Sequence, residues 1–444
     1  MSEIQQNDKV FYANGVLLVV YITLKPIYLW SSGSVQLCDM VLLLGIALNL
    51  IKIRGKLKFR KTESRYIKVM TALCVYQTIV NFVWSVYLGE NILKPSLFYF
   101  FNLFAVCLFI LIIDKIGLRR MKQCITTGSF LSLLLTAVSI VITAGTKRST
   151  GLFNNPNQLG YYALLLFSLA IVCWSASKPA MRISIIVLSI FAIIASSSKA
   201  AFAGMVVTVF FYVLSQGTKL TIKKIFILAL IILVARVFLY WFFFSDNSIL
   251  LSNSSVMRMR YRILNMFNEN DSDLGTGRGY DRIYELGINF LWGKGEGAYY
   301  RFNSLKNVEA HSTYVSLLVS YGLIGFIGYM YLFFKAVYDK KKFLMNLGII
   351  SGAFVYQITH NGIRNTLFWL LIVLLLVDKT RSNTQMQVNT IEPEPGYIDD
   401  QSVDTESETV NEDNKNETDN STDAEPHVDD STHGDSTDSF FNIL

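Results

Sequence analysis

The chain has 444 residues, 52% hydrophobic and 14% aromatic, with only seven prolines and a mean hydropathy of +0.39. So apolar a composition excludes a water-soluble globular protein and points to a polytopic membrane protein. The formal net charge of +7 hides an asymmetry: 17 of the 33 acidic residues but one of the 40 basic residues lie beyond Thr390, leaving 39 basic against 16 acidic, or +23, on the first 390.

A spanning helix needs about 20 mostly apolar residues. In chain order such stretches centre in 11–30, 35–51, 67–88, 96–113, 124–144, 158–175, 183–197, 200–215, 225–244, 313–335, 344–360 and 364–377. They predict an all-α fold of about 12 transmembrane helices. The opening MSEIQQNDKV has no basic n-region and no small-residue cleavage site, so the first stretch is expected to be a retained helix. Lys25-Pro26 interrupts it, and the seventh and eighth stretches form a short pair around SSSKAAFAG.

Basic residues gather in alternate short loops, at 52–68, 114–122, 178–182, 219–224 and 339–342. The positive-inside bias makes these loops cytoplasmic, together with both termini. The opposite loops are short except the segment of about 245–312, far beyond ordinary connection length and therefore read as a functional outer loop. The predicted domains are a membrane catalytic domain at 1–381 and, at 382–444, an acidic tail with too little apolar surface to offset its chain entropy, expected to be disordered and cytoplasmic. Cys38, Cys74, Cys107, Cys124 and Cys173 all lie in or beside apolar runs and read as small buried hydrophobes.

The outer loop offers two amphipathic stretches. In RGYDRIYELGINFLW a helical period places Arg278, Arg282, Glu285 and Asn289 on one side, with Ile283, Leu286 and Phe290 on the other. In SVMRMRYRILNMF, Arg258, Arg260 and Arg262 alternate with apolar residues as in a helix lying among lipid headgroups, and either lipid anchoring or substrate binding fits. Arg278 sits in DLGTGRG, where glycines let backbone and guanidinium approach an anion.

Elsewhere, Lys199 interrupts the SSSKAAFAG pair at its outer turn, either snorkelling to water or facing an anionic ligand. Arg236 lies inside a span, where a structural pair with Asp39 is the preferred reading. Asp271-Ser272-Asp273 has the D-x-D pattern of metal sites but reads better as a solvated triplet. Gly322, Gly325 and Gly328 recur every third residue and suggest close helix packing. His311 opens the span at 313–335, either capping it with Ser312 or acting as a base near neutral pH.

STGLFNNPNQLGYYALLL (149–166), SSSKAAFAG (196–204), GRGYDRIYELGINFLWGKGEG (277–297) and AHSTYVSLLVSYGLIGF (310–326) follow one another around the outer loop. This ordered set resembles the O-antigen polymerase and ligase superfamily of bacterial membrane glycosyltransferases. The resemblance implies a GT-C-like polytopic fold in the bacterial cytoplasmic (inner) membrane and a metal-independent enzyme without a cofactor. Its implied substrates are undecaprenyl-diphosphate-linked oligosaccharides, with a flippase and chain-length regulator as candidate partners and no nucleic acid. By resemblance, His311 is the base and Arg278 and Lys199 hold the diphosphate, although the family usually has arginine where Lys199 stands. Arg260, Arg262 and Arg282 are added as further diphosphate contacts for their charge and outer-loop position. Polymerisation of repeat units is the leading reading, because outer-face cations beyond Arg278 and Lys199, namely Lys147, Arg148, Arg258, Arg260, Arg262 and Arg282, are enough to seat a second diphosphate. Transfer to lipid A core or protein, and transport of lipid-linked sugars, remain alternatives.

Overall fold

The computed structural model describes residues 3–31, 33–53, 59–143, 148–215, 233, 257, 261, 278–302, 309–340 and 342–389, with backbone alone at 3–11, 50–53 and 379–389. Among these the chain forms eleven α-helices and no strand. They are α1 (Glu3–Leu24), α2 (Leu37–Ile53), α3 (Lys61–Leu88), α4 (Lys94–Ile116), α5 (Leu118–Ile142), α6 (Pro156–Val172), α7 (Pro179–Ser196), α8 (Lys199–Ser215), α9 (Thr313–Val337), α10 (Phe343–Thr359) and α11 (Thr366–Asn389). Each falls on one of the predicted apolar stretches, while the stretch at 225–244 lies outside the described residues. Five of them, α3, α4, α5, α7 and α9, are long and apolar enough to cross a membrane, and the other six contain shorter apolar runs. The described residues up to Thr384 make one compact unit.

The centre of this unit is set by two helices that are apolar all round, the pattern of a helix buried on every side. On α6 every residue from Leu159 to Ile171 is buried, and on α11 every residue from Thr366 to Val377. The outer helices instead carry exposed apolar side chains, including Val86, Leu97, Val141, Ile142 and Val187. In water such a surface would be a liability, whereas lipid tails solvate it at no cost.

Without a hydrophobic drive between helices in lipid, close backbone packing holds them together, and small residues permit it. On α8 a Cβ added to Gly204 would lie 2.6 Å from the Gly352 carbonyl oxygen of α10, and one added to Gly348 would lie 2.8 Å from the Tyr212 nitrogen.

Hydrogen bonds gather the loops of one end of the bundle. Tyr28 N donates to Leu152 O at 3.1 Å and Ser149 N to Ala195 O at 3.2 Å. Asn154 Nδ2 donates to Trp30 O at 2.8 Å, and the Tyr300 hydroxyl donates to Glu90 at 2.7 Å. At the opposite end Asp378 receives Lys122 at 3.2 Å and Lys342 at 3.0 Å, joining the starts of α5 and α10 to α11. Asp39, expected to pair with Arg236, instead faces Lys25 at 3.5 Å. The lysine precedes Pro26 just past the end of α1, close to the start of α2, and Arg236 lies outside the described residues.

Two expectations need correction. Residues 278–292 form not an amphipathic α-helix but turns and two short 3-10 segments, Asp281–Ile283 and Gly287–Phe290. Gly279 (φ 71°) and Gly287 (φ 51°) occupy the left-handed region and interrupt the helical path. The glycine series of α9 also does more than pack helices. Gly328 does abut α3, since an added Cβ would lie 2.3 Å from Leu73. Gly322, however, adopts φ 64°, ψ −169° and breaks α9 in mid-course.

The outer loop fills that break. Lys294 N donates to Val319 O at 2.9 Å, Gly295 N to Ser320 O at 2.8 Å and Ile324 N to Leu291 O at 3.3 Å. The freed backbone groups of the kink are thereby satisfied by the loop, as irregular backbone at membrane depth requires. A Cβ on Gly322 would lie 2.4 Å from the Leu291 carbonyl carbon, in a backbone conformation that L residues rarely adopt. Gly322→Ala should therefore cost about 2 kcal/mol or more. The check is a lower melting temperature of the detergent-purified variant; an unchanged melting temperature would contradict the account of the kink.

Candidate functional site

The loops gathered at that end bring together four segments that are far apart in the chain. The first is the approach to α6. Asn155 caps this helix by accepting from Asn157 N at 2.8 Å, with Pro156 at the first helical position, where its missing N–H costs nothing. The second is the α7–α8 turn, in which Ser197 ends α7 in the left-handed conformation and Lys199 opens α8. Arg148 joins the two: its Nε donates to Ser196 O at 2.9 Å and its Nη2 to Asn157 Oδ1 at 2.7 Å.

The third segment is formed by the two flanks of the outer loop. His311 N donates to Arg278 O at 3.0 Å, and the Ser312 hydroxyl caps α9 by accepting from Val315 N at 3.4 Å. The fourth is the α10–α11 turn, HNGIRN (360–365). Thr313 Oγ1 donates to His360 O at 3.3 Å and accepts from Gly362 N at 3.0 Å. The Tyr280 hydroxyl faces the carbonyls of His311 (3.3 Å) and Ile358 (3.1 Å), tying the loop to the end of α10.

Around this junction Arg278, His311 and Arg148 all act electrostatically on His360. The His360 ring stacks on Tyr356 at 4.7 Å, and Tyr356 stacks on Tyr161 of α6 at 4.2 Å. Burial first, then the positive charge of Arg278, the neighbouring His311 and Arg148, push the His360 pKa down to about 4. His311 is exposed. The site thus carries one half-buried imidazole with a lowered pKa and one open to solvent, and environments that differ in this way separate the roles of like groups.

Beside it lies a buried ion cluster. Glu296 is fully enclosed; it pairs with Arg364 and accepts from the Tyr321 hydroxyl at 2.5 Å and the Tyr99 hydroxyl at 3.1 Å. Arg364 also reaches Glu309 at 3.0 Å, and Asn361 donates to Glu309. Burial raises the Glu309 pKa, while Arg364 opposes the rise. One guanidinium therefore ties both flanks of the outer loop, at 296 and 309, to the α10–α11 turn.

The structure brings Arg278 and His311 into direct contact and places Lys199 three residues from the Ser196 that Arg148 holds. Among the described residues Arg278 makes no ion pair, which suits a guanidinium kept for an anion. Arg282 turns inward instead: it is fully buried, with its guanidinium over the rings of Tyr299 (5.0 Å) and Phe302 (5.3 Å). Without an α-helix, the spacing that put it on a stripe with Arg278 does not apply. Arg258, Arg260, Arg262, Lys147 and the Asp271–Asp273 triplet lie outside the described residues. No cluster of metal-ligating side chains occurs among the described residues.

Sequence reasoning counted Arg148 only among the surplus outer-face cations and passed over His360, Asn361 and Arg364. The available signal was HNGIRN, a histidine, two amides and an arginine packed into a six-residue turn between apolar spans, where polar and ionisable groups ordinarily have a function.

No curated protein matches the chain. Residues 184–330 match the family model described as O-antigen ligase, and this region, which holds Lys199, Arg278 and His311, makes the chain similar to the O-antigen polymerase and ligase superfamily.

Proposed function

We propose that the chain is a membrane glycosyltransferase that polymerises oligosaccharide repeat units carried on undecaprenyl diphosphate. The observation that supports this reading is the meeting of Arg278, Arg148 and the Lys199 turn with the exposed imidazole of His311 at one end of the bundle. Cations answer the charge that grows on a departing diphosphate, and an imidazole answers the proton of an attacking hydroxyl.

In the reaction, a hydroxyl of the acceptor glycan attacks the anomeric carbon of the donor. The new C–O bond forms as the bond from that carbon to the diphosphate oxygen breaks, and the electron pair leaves with the lipid diphosphate. Arg278 takes the diphosphate through its planar fork, and Lys199 adds a second charge. His311 accepts the hydroxyl proton. Because the leaving diphosphate is itself a stable anion, the cationic side chains supply what a metal would otherwise provide.

Ligation to lipid A core or protein is the second reading, favoured by the description of the matching family model. It uses the same donor chemistry and differs in acceptor. Purified protein given only the lipid-linked repeat unit separates them: a ladder of longer products supports polymerisation, while elongation that waits for a lipid A core or protein acceptor supports ligation.

If Lys199 acts through charge, Lys199→Arg should retain most of the activity and Lys199→Ala should lose at least tenfold. Polymer yield from membranes carrying each variant provides the check. Orientation follows from the basic loops, which place 52–68 and both termini in the cytoplasm and 245–312 outside. A cysteine replacing Asn270 should react with an impermeant thiol reagent on intact spheroplasts, and one replacing Lys58 should not; the opposite pattern would invert the topology.

A further inference from the structure

His360 lies beyond the region that matches the family model, on the turn joining α10 to α11. Its ring is fixed on two sides. One face stacks on Tyr356, and Nδ1 lies 3.0 Å from Thr359 Oγ1. That hydroxyl has a single proton, which it donates to the Tyr356 carbonyl at 3.4 Å. Toward His360 the hydroxyl is therefore an acceptor, so Nδ1 carries the imidazole proton and Nε2 bears the lone pair. No hydrogen bond from another described residue reaches Nε2.

The position of this acceptor matters because of what its backbone is tied to. The carbonyl of His360 receives Thr313, two residues beyond His311, and Tyr280 bonds the carbonyl of His311 together with that of Ile358, two residues before His360. The two histidines thus stand on adjoining segments of one hydrogen-bonded junction, with Arg278 bonded to the same junction. Asn361, Glu309 and Arg364 continue the polar surface from His360. An imidazole stacked on Tyr356, an amide, a carboxylate and a guanidinium together offer hydrogen-bonding groups suited to a polyhydroxylated ring.

We propose that the His360–Arg364 turn is the acceptor-glycan subsite, in which Nε2 of His360 accepts a hydrogen bond from an acceptor hydroxyl and so presents that glycan to His311. The inference rests on the glycosyl-transfer reading above and assigns the acceptor side of that site. The depressed pKa of His360 supports it, because an imidazole that stays neutral keeps its lone pair available across the physiological range. His360 acts here as a hydrogen-bond acceptor, and the proton of the reaction goes to His311.

The test uses full-length protein, the lipid-diphosphate-linked repeat as donor and the same repeat oligosaccharide, released from its lipid, as a soluble acceptor. His360→Ala should raise the KM for the soluble acceptor roughly tenfold, the loss of one oriented hydrogen bond, and leave the KM for the donor unchanged. Two amides then separate function from support, because a glutamine side chain places its carbonyl oxygen near the Nε2 position and an asparagine side chain reaches only the Nδ1 position. His360→Gln should restore acceptor affinity and His360→Asn should not. Rescue by asparagine alone, or a donor KM that rises as much as the acceptor KM, would overturn the subsite and leave His360 as a support for the turn. Should the alanine variant not fold, the glutamine and asparagine pair decides. Wild-type protein that forms no product refutes glycosyl transfer itself, an outcome distinct from wild-type product with unaltered variants.

Discussion

Arg278→Ala and His311→Ala should each reduce polymer formation by a factor of about 10² to 10⁴ while the protein remains folded in the membrane. The asymmetry between chemistry and stability follows from where the residues sit. His311 is exposed, Arg278 is half-buried and has no ion pair among the described residues, so truncating either side chain strands no buried charge. Their backbone hydrogen bond, which positions the two flanks of the loop, survives both substitutions. Arg278→Lys should fall between wild type and alanine, since it keeps the charge and loses the fork. The double variant should be little worse than the worse single one, because the two groups serve one bond-breaking event. Product analysis of membranes with matched protein levels tests these points; normal polymer from either alanine variant would refute the site.

The reverse balance is expected at Arg364. Replacing it with Met removes the only cation paired with the fully enclosed Glu296 among the described residues and leaves Glu309 beside it. Breaking a buried pair costs about 3–5 kcal/mol, and the partly exposed edge of Arg364 argues for the lower end. Arg364→Met should therefore melt far lower than wild type, and adding Glu296→Gln should recover part of the loss by removing the stranded charge. The same variants should lose more activity than folded protein, because this arginine both holds the loop to the turn bearing His360 and belongs to the proposed acceptor subsite. A melting temperature for Arg364→Met equal to wild type would show that the loop is held by other means.

The contrast between these sites indicates what a sequence makes legible. Helices announce themselves by length and hydropathy, so the segments that became α1 to α11 could be read directly. His311 stood out because an ionisable group opening a long apolar run is conspicuous, and Arg278 because glycines flank it. The course of residues 278–292 was hidden because an amphipathic period of 3.6 is also compatible with short turns, and positive φ at Gly279 and Gly287 depends on tertiary contacts. Gly322 reads as one of three packing glycines, and nothing local reveals that Leu291–Gly295 inserts at its position. Long-range ion pairs were the least legible: the Lys25–Asp39 pair was not foreseen, and the pairing of Arg364 with Glu296 joins residues 68 apart. Without the fold, HNGIRN is merely a connection between two spans.

The most direct test of the account is the release of undecaprenyl diphosphate by purified full-length protein supplied with the lipid-linked repeat unit alone. The account predicts one lipid diphosphate released for each glycosidic bond formed, and release from Arg278→Ala reduced by a factor of about 10² or more. Chain growth without stoichiometric release of lipid diphosphate, or undiminished release by Arg278→Ala, would contradict it.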